Sequence, residues 1–155
     1  MLNALVRALY IAGYRVLRVW WFFRRPSVRG AFVAVWHDDQ LLLIRNSYRR
    51  GETLPCGAIG RHETPRAAAR RELHEEVGID VPEESLVFAT DFELEWDFKH
   101  DRATIFELCP SEQPVVRVDE REVVWGEFVP ENELASRPLV PHIVRYLAWR
   151  RDRSD

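Results

Sequence analysis

The sequence predicts a single α+β domain, a mixed β-sheet flanked by helices, and three observations carry that prediction. Strand-like runs outnumber helical ones, hairpins are mixed with helices along the chain, and 155 residues suffice for one packed core but not for two of ordinary size. Hydrophobic content of 46% and charged content of 30% are ordinary for a soluble globular chain without repeats or low-complexity tracts.

Residues 1–23 read as a helix, because Leu2, Leu5, Leu9, Ala12, Val16, Val19 and Phe23 recur at spacings of three and four. Pro26, after Arg24 and Arg25, ends it. "GAFVAVW" (30–36) and "LLLIRN" (41–46) read as strands around the polar turn "HDDQ", and a Gly- and Arg-rich loop follows over residues 47–63. Thr64 before Pro65 supplies a capping hydroxyl and a proline at the first helical position. Gly78 stops that helix, since glycine takes the left-handed conformation without penalty. On its wheel the apolar stripe Ala69, Leu73, Val77 lies beside an arc of Glu72, Glu75 and Glu76. "SLVFATDFELEWDF" and "ATIFELC" read as strands joined through "KHDR", and "REVVWGEFV" (121–129) as another. "PHIVRYLAWRR" closes the chain as an amphipathic helix with Ile143, Val144 and Leu147 on one side.

Charge is unevenly spread. Six arginines and no acid precede Asp38, so the rest of the chain carries 16 basic against 25 acidic residues, a net of −9. A basic arm on an acidic body suggests an anionic partner for the arm, such as phospholipid headgroups, while the body is no general nucleic-acid binder. Cys56 and Cys109 are too few for a disulfide framework, and no secretory signal accompanies them, so a cytoplasmic setting is expected, peripheral to a membrane if the arm meets lipid.

The chemistry is concentrated on the capped helix. Glu72, Glu75 and Glu76 crowd one face, where like charges cost a few tenths of a kcal/mol per pair, roughly. Hard divalent cations take oxygen ligands from carboxylates, and one helical turn can aim these three at a common point. The full pattern runs Gly57, five residues, Glu63, seven residues, Arg71, Glu72, Leu73, one residue, Glu75, Glu76, one residue, Gly78, Ile79. This resembles the Nudix box at every defining position, a coincidence expected on the order of once in 10^8 placements at ordinary residue usage. The flanking order of strand, loop and helix is similar to the Nudix fold over residues 27–155, with residues 1–26 as an extra N-terminal helix.

The resemblance implies an α/β/α sandwich and a Mg2+- or Mn2+-dependent hydrolase that splits the phosphoanhydride of a nucleoside diphosphate linked to another moiety. It assigns Glu72 as ligand or base, Glu75 and Glu76 as ligands, the Cys56 carbonyl as a further ligand, and Arg71 as the partner that orients the box glutamates, including Glu63. Such domains often recruit a late carboxylate, and Asp119, Glu120 and Glu122 fall in that segment, with Glu120 preferred and Glu122 next. Cys56 and His62 stand where many members have glycine; His62 could need positive φ, which histidine tolerates better than bulky residues do. His37, His74, His100 and His142 read as surface or structural. Tyr48, Arg49, Arg50, Trp96, Lys99 and Arg102 could stack a base or pair with phosphate, or serve as framework. The rival reading is a non-catalytic Nudix-fold module that binds a nucleotide or regulates a partner; degenerate glutamates would mark it, and all are present here.

The N-terminal helix is too apolar to stand in water alone, yet after Arg7 its longest uncharged run is seven residues, short of the ~20 a bilayer core requires. Three fates are open: packing on the body, pairing with the same helix of a second copy, or lying in a membrane interface. A wide apolar face favours the first two.

Overall fold

A computed structural model describes residues 2–153. The elements in chain order are α1 (Leu2–Arg24), β1 (Ser27–His37), β2 (Gln40–Asn46), β3 (Cys56–Ala58), α2 (Pro65–Val77), β4 (Val87–Trp96), β5 (Lys99–Leu108), β6 (Val123–Pro130) and α3 (Pro141–Arg151), with short 3-10 turns at Glu83–Ser85 and Glu131–Ser136. The strands form one mixed sheet in the order β4-β5-β1-β2-β6, and β3 pairs with β1. The β1–β5 pair is parallel; the other pairs are antiparallel.

The continuous apolar run of β1 is explained by burial on both faces. Ala31, Val33 and Val35 pack with Ala68, Ala69, Leu73 and Val77 of α2. Phe32, Ala34 and Trp36 pack on the other side with Ile143 and Tyr146 of α3. Alternate residues of a strand point to opposite faces, so a strand sandwiched between helices reads as unbroken hydrophobicity. The α/β/α sandwich expected from the sequence is the observed architecture.

Several boundaries differ from expectation, each for a local reason. Lys99–Leu108 is continuous strand, so "KHDR" is not the connection; the turn is Asp97–Phe98, with φ of 52° and 65°. Asp38 and Asp39 turn the β1–β2 hairpin in the same way, at 45° and 58°. Two residues of positive φ match the twist of a two-residue hairpin, and no glycine signalled either turn. β3 was hidden in the Gly- and Arg-rich loop, because three residues are too few to show a period. In α3 the buried face is His142, Ile143 and Tyr146, while Val144 is 55% exposed. His62 is not among the residues with positive φ.

The caps of α2 follow the sequence. Thr64 accepts a side-chain hydrogen bond from the Ala67 N–H, Pro65 opens the first turn, and Gly78 closes the helix at φ 70°. These caps and the Leu73 stripe fix the helix so that its glutamates meet β3.

Helix α1 packs on the body across the end of the sheet. Arg18 Nε lies 2.6 Å from Asp97 Oδ1, the Tyr14 hydroxyl also bonds Asp97, and Arg7 Nε donates to the Glu120 carbonyl at 2.7 Å. Tyr10 stacks on Tyr48 at 5.9 Å, and Phe22 meets Phe98 edge-on at 5.2 Å. The tip of the β4–β5 hairpin is thus clamped by α1.

Candidate active site

Arg71 is the hub of the box. Its Nε and Nη2 donate to Glu63 Oε1 and Oε2 at 2.9 and 3.0 Å, a bidentate pair. Nη1 donates to Glu72 Oε1 at 2.5 Å and to Glu75 Oε2 at 3.1 Å, and Nη2 also reaches the Ala58 carbonyl at 3.2 Å. One planar guanidinium therefore fixes three carboxylates and the end of β3, a task that the point charge of lysine cannot do. Glu63 also accepts from the Gly60 N–H at 3.0 Å. Those bonds from Arg71, and that from Gly60, hold its carboxyl below the usual range.

Glu76 sits deeper and is 5% exposed. The Cys56 N–H donates to its Oε2 at 2.7 Å and Asn46 Nδ2 to its Oε1 at 3.4 Å. Burial pushes its pKa up to about 8 against the bond from Cys56, and the negative charges of Glu72 and Glu122 add to the rise. Burial likewise raises Glu72, opposed by Arg71 and reinforced by Glu75 and Glu122. A Cβ at Gly57 would lie 1.9 Å from Glu72 Oε1, so β3 and the Glu72 carboxylate approach as closely as a missing side chain allows.

The three late acids separate clearly. Asp119 Oδ1 accepts from the N–H groups of Arg121, Glu122 and Val123 and shapes the turn. Glu120 has φ 57° and gives its carbonyl to Arg7. Glu122 lines the cleft, accepts from the Tyr48 hydroxyl at 3.0 Å, and is near enough to raise Glu72 and Glu76.

That cleft is a cavity of about 690 Å3 bounded by Cys56, Gly57 and Ala58, by Glu122, and by the inward face of α1. Of the residues weighed for substrate contact, Tyr48, Arg49 and Lys99 line it. Trp96 carries Arg49 on its ring face at 5.2 Å, and Arg102 is paired with Asp91 at 2.7 Å on the exposed surface. The Cys56 thiol is pushed up to about 12 by burial and by Glu76, which makes it a poor nucleophile. Sequence reasoning missed the α1 wall of Val6, Tyr10, Tyr14, Leu17 and Trp21; their spacing was legible as an apolar face, but not what it faces. It also missed Asp101 in the cleft wall, 5% exposed, whose Oδ2 accepts from Lys99 Nζ at 2.6 Å and lies 3.4 Å from His142 Nε2.

The donor set suits a hard divalent cation: Glu76 is buried and raised by the charges of Glu72 and Glu122, Glu72 is raised by burial, Glu75 and Glu122, and the backbone of Cys56 lies against Glu76. Among the described residues no three such side chains converge as a ready cluster, because Glu72 and Glu75 rest on Arg71.

A NUDIX domain model matches residues 26–150. The chain belongs to the Nudix family. No curated protein matches it. Solved Nudix structures share the fold: a MutT protein from Methanosarcina mazei Go1 has a TM-score of 0.71 at 18% identity, over 84% of this chain and 98% of its own. The NUDIX domain of Shewanella oneidensis NrtR, complexed with ADP ribose, has a TM-score of 0.71 at 15% identity over 83% and 89%. A bifunctional NMN adenylyltransferase/ADP ribose pyrophosphatase from Francisella tularensis, complexed with AMP and a Mn ion, has a TM-score of 0.68 at 13% identity over 89% and 46%. These neighbours extend the Nudix fold to this chain, and α1 precedes the matched domain.

Proposed function

We propose that this Nudix-type hydrolase, with Mg2+ or Mn2+ bound, hydrolyses the phosphoanhydride of a diphosphate that links two moieties. The observation that carries the reading is the buried Glu76, raised to about 8 by burial and by Glu72 and Glu122, at the edge of a cleft large enough for a nucleotide-sized ligand. A fold does not hold such mutual repulsion for stability, and a cation removes it. The nucleotide ligands of the Shewanella and Francisella neighbours support the substrate type, and the Mn ion of the latter supports the metal.

Glu72, Glu75, Glu76 and the Cys56 carbonyl would hold the cation, which supplies charge neutralisation for the diphosphate and a lowered pKa for the attacking water. Arg71 and Glu63 are positioning residues: the bidentate pair locks the guanidinium whose other arm orients Glu72 and Glu75. Glu122, oriented by the Tyr48 hydroxyl, takes the place foreseen for Glu120 and holds the proton that water loses. Water oxygen bonds to one phosphorus, the bridging oxygen leaves with its electron pair on the other, and two monophosphates result. Arg49 and Lys99 place positive charge in the same cleft.

A panel of nucleoside di- and triphosphates, dinucleotides, sugar nucleotides and capped RNA, with and without Mg2+ or Mn2+, tests the reading. Metal-dependent release of monophosphates from a linked diphosphate is expected; no turnover of any of them with either metal would reject it.

A further inference from the structure

Helix α1 is apolar on two faces. Inward, Val6, Tyr10, Tyr14, Leu17 and Trp21 wall the cleft. Outward, Leu5, Val16, Val19 and Phe23 are 61%, 69%, 61% and 77% exposed. Their spacing places them on one continuous stripe, which a soluble monomer rarely leaves in water.

Charge identifies what covers that stripe. Among the described residues Arg18 is held by Asp97, whereas Arg15 is exposed at the edge of the stripe and, like the exposed Arg24 and Arg25 at the end of the helix, carries no salt bridge. No acidic residue precedes Asp38, so pairing two copies through this helix would set like charges against each other. An anionic lipid surface complements both the apolar stripe and the arginines, and Trp20, half exposed, suits the headgroup boundary. No described helix is long and apolar enough to cross a membrane, so the arrangement is one of lying in the interface.

The inward wall favours the same kind of ligand. On the α1 side the polar groups are few and bonded: the Tyr14 hydroxyl to Asp97 and, facing it, the Tyr48 hydroxyl to Glu122. The rings of Tyr10 and Tyr14 also pack against Tyr48. A base against this wall would leave polar edges unpaired, whereas an apolar chain loses nothing there.

Given the hydrolase reading of the site, we propose that the substrate is a diphosphate ester bearing a long apolar group, taken from an anionic lipid surface on which the outward face of α1 rests while its inward face walls the apolar part of the cleft. Water adds to one phosphorus and the bridging P–O bond breaks, so a lipid monophosphate and the monophosphate of the other moiety are released with no further reactant.

The test pairs CDP-diacylglycerol in vesicles with its soluble counterpart, CDP-glycerol, and measures sedimentation of the full-length chain with phosphatidylcholine vesicles with and without phosphatidylglycerol. The expected result is sedimentation that depends on phosphatidylglycerol, and a kcat/KM for the lipid form about tenfold or more above that for CDP-glycerol. A double variant Val19→Glu, Phe23→Glu, outside the cleft, should abolish sedimentation and the lipid preference while leaving CDP-glycerol turnover unchanged. The triple variant Arg15→Gln, Arg24→Gln, Arg25→Gln should weaken sedimentation without touching the apolar stripe. A full-length protein that stays in the supernatant with both vesicles, hydrolyses both compounds equally, or forms a dimer that Val19→Glu, Phe23→Glu dissolves would overturn the proposal. Absence of turnover on every diphosphate would instead remove the hydrolase reading, with the sedimentation result still deciding the docking face.

Discussion

Replacing Glu76 by glutamine separates the catalytic role proposed for the box from its structural one. In the metal-free protein the Glu76 pKa rises from 4.5 to about 8, chiefly through burial. The folded chain therefore keeps a proton on this carboxyl that the unfolded chain has released between those values. Stability contributed by this group is greatest below pH 4.5 and declines as pH rises to about 8. At pH 7 the difference spans roughly two and a half pH units, at most about 3 kcal/mol at 1.36 kcal/mol per unit. Glutamine is neutral at every pH and its amide oxygen can still accept from the Cys56 N–H. In EDTA at pH 7, Glu76→Gln should thus be the more stable protein, with a Tm higher by up to about 10 °C for a domain of this size. Its Tm should be flat over the window in which the wild type declines. Mg2+ should raise the Tm of the wild type and much less that of the variant, by mass action on the folded state. Turnover should fall more than about a hundredfold, since even groups that only orient metal ligands are worth about ten to a hundredfold. Thermal scans from pH 5 to 8 in EDTA and in Mg2+, with turnover at saturating Mg2+, are the assay. Wild-type stability that climbs over this pH range in EDTA, or a variant with wild-type turnover, refutes the reasoning.

Three further outcomes follow from the geometry. Glu122→Gln should cut kcat by about a hundredfold or more as a lost proton acceptor, while Glu120→Gln should stay near wild type; steady-state kinetics showing the reverse order would return the role to Glu120. Gly57→Ala places a Cβ on the Glu72 carboxylate, so activity should be lost while the circular dichroism spectrum is kept, and an active alanine variant would show that Glu72 is free to move away. Arg71→Lys keeps the charge but not the bidentate grip on Glu63, and kcat should fall by about tenfold or more with KM little changed; unaltered kcat would mean that Arg71 contributes charge alone.

The sequence by itself determined the capped helix and the arc of carboxylates it carries. Thr64, Pro65 and Gly78 act through local backbone geometry, and the box spacing is a property of one segment, so both can be read without knowing what packs against them. The buried central strand was legible for the same reason, as a run of apolar residues long enough to need cover on both faces. Tertiary structure decided everything that depends on distant segments meeting. Asp119, Glu120 and Glu122 are equivalent in sequence, and only the turn that Asp119 caps sends Glu122 into the cleft beside Glu72 and Glu76. The Asp97–Phe98 turn carries no glycine, and α1 holds it through Tyr14, Arg18 and Phe22. The apolar face of α1 was plain from its periodicity, but periodicity records that a face seeks cover and not which surface supplies it, and here one side of the helix found the cleft beside β3 and Glu122 while the other remained in the open.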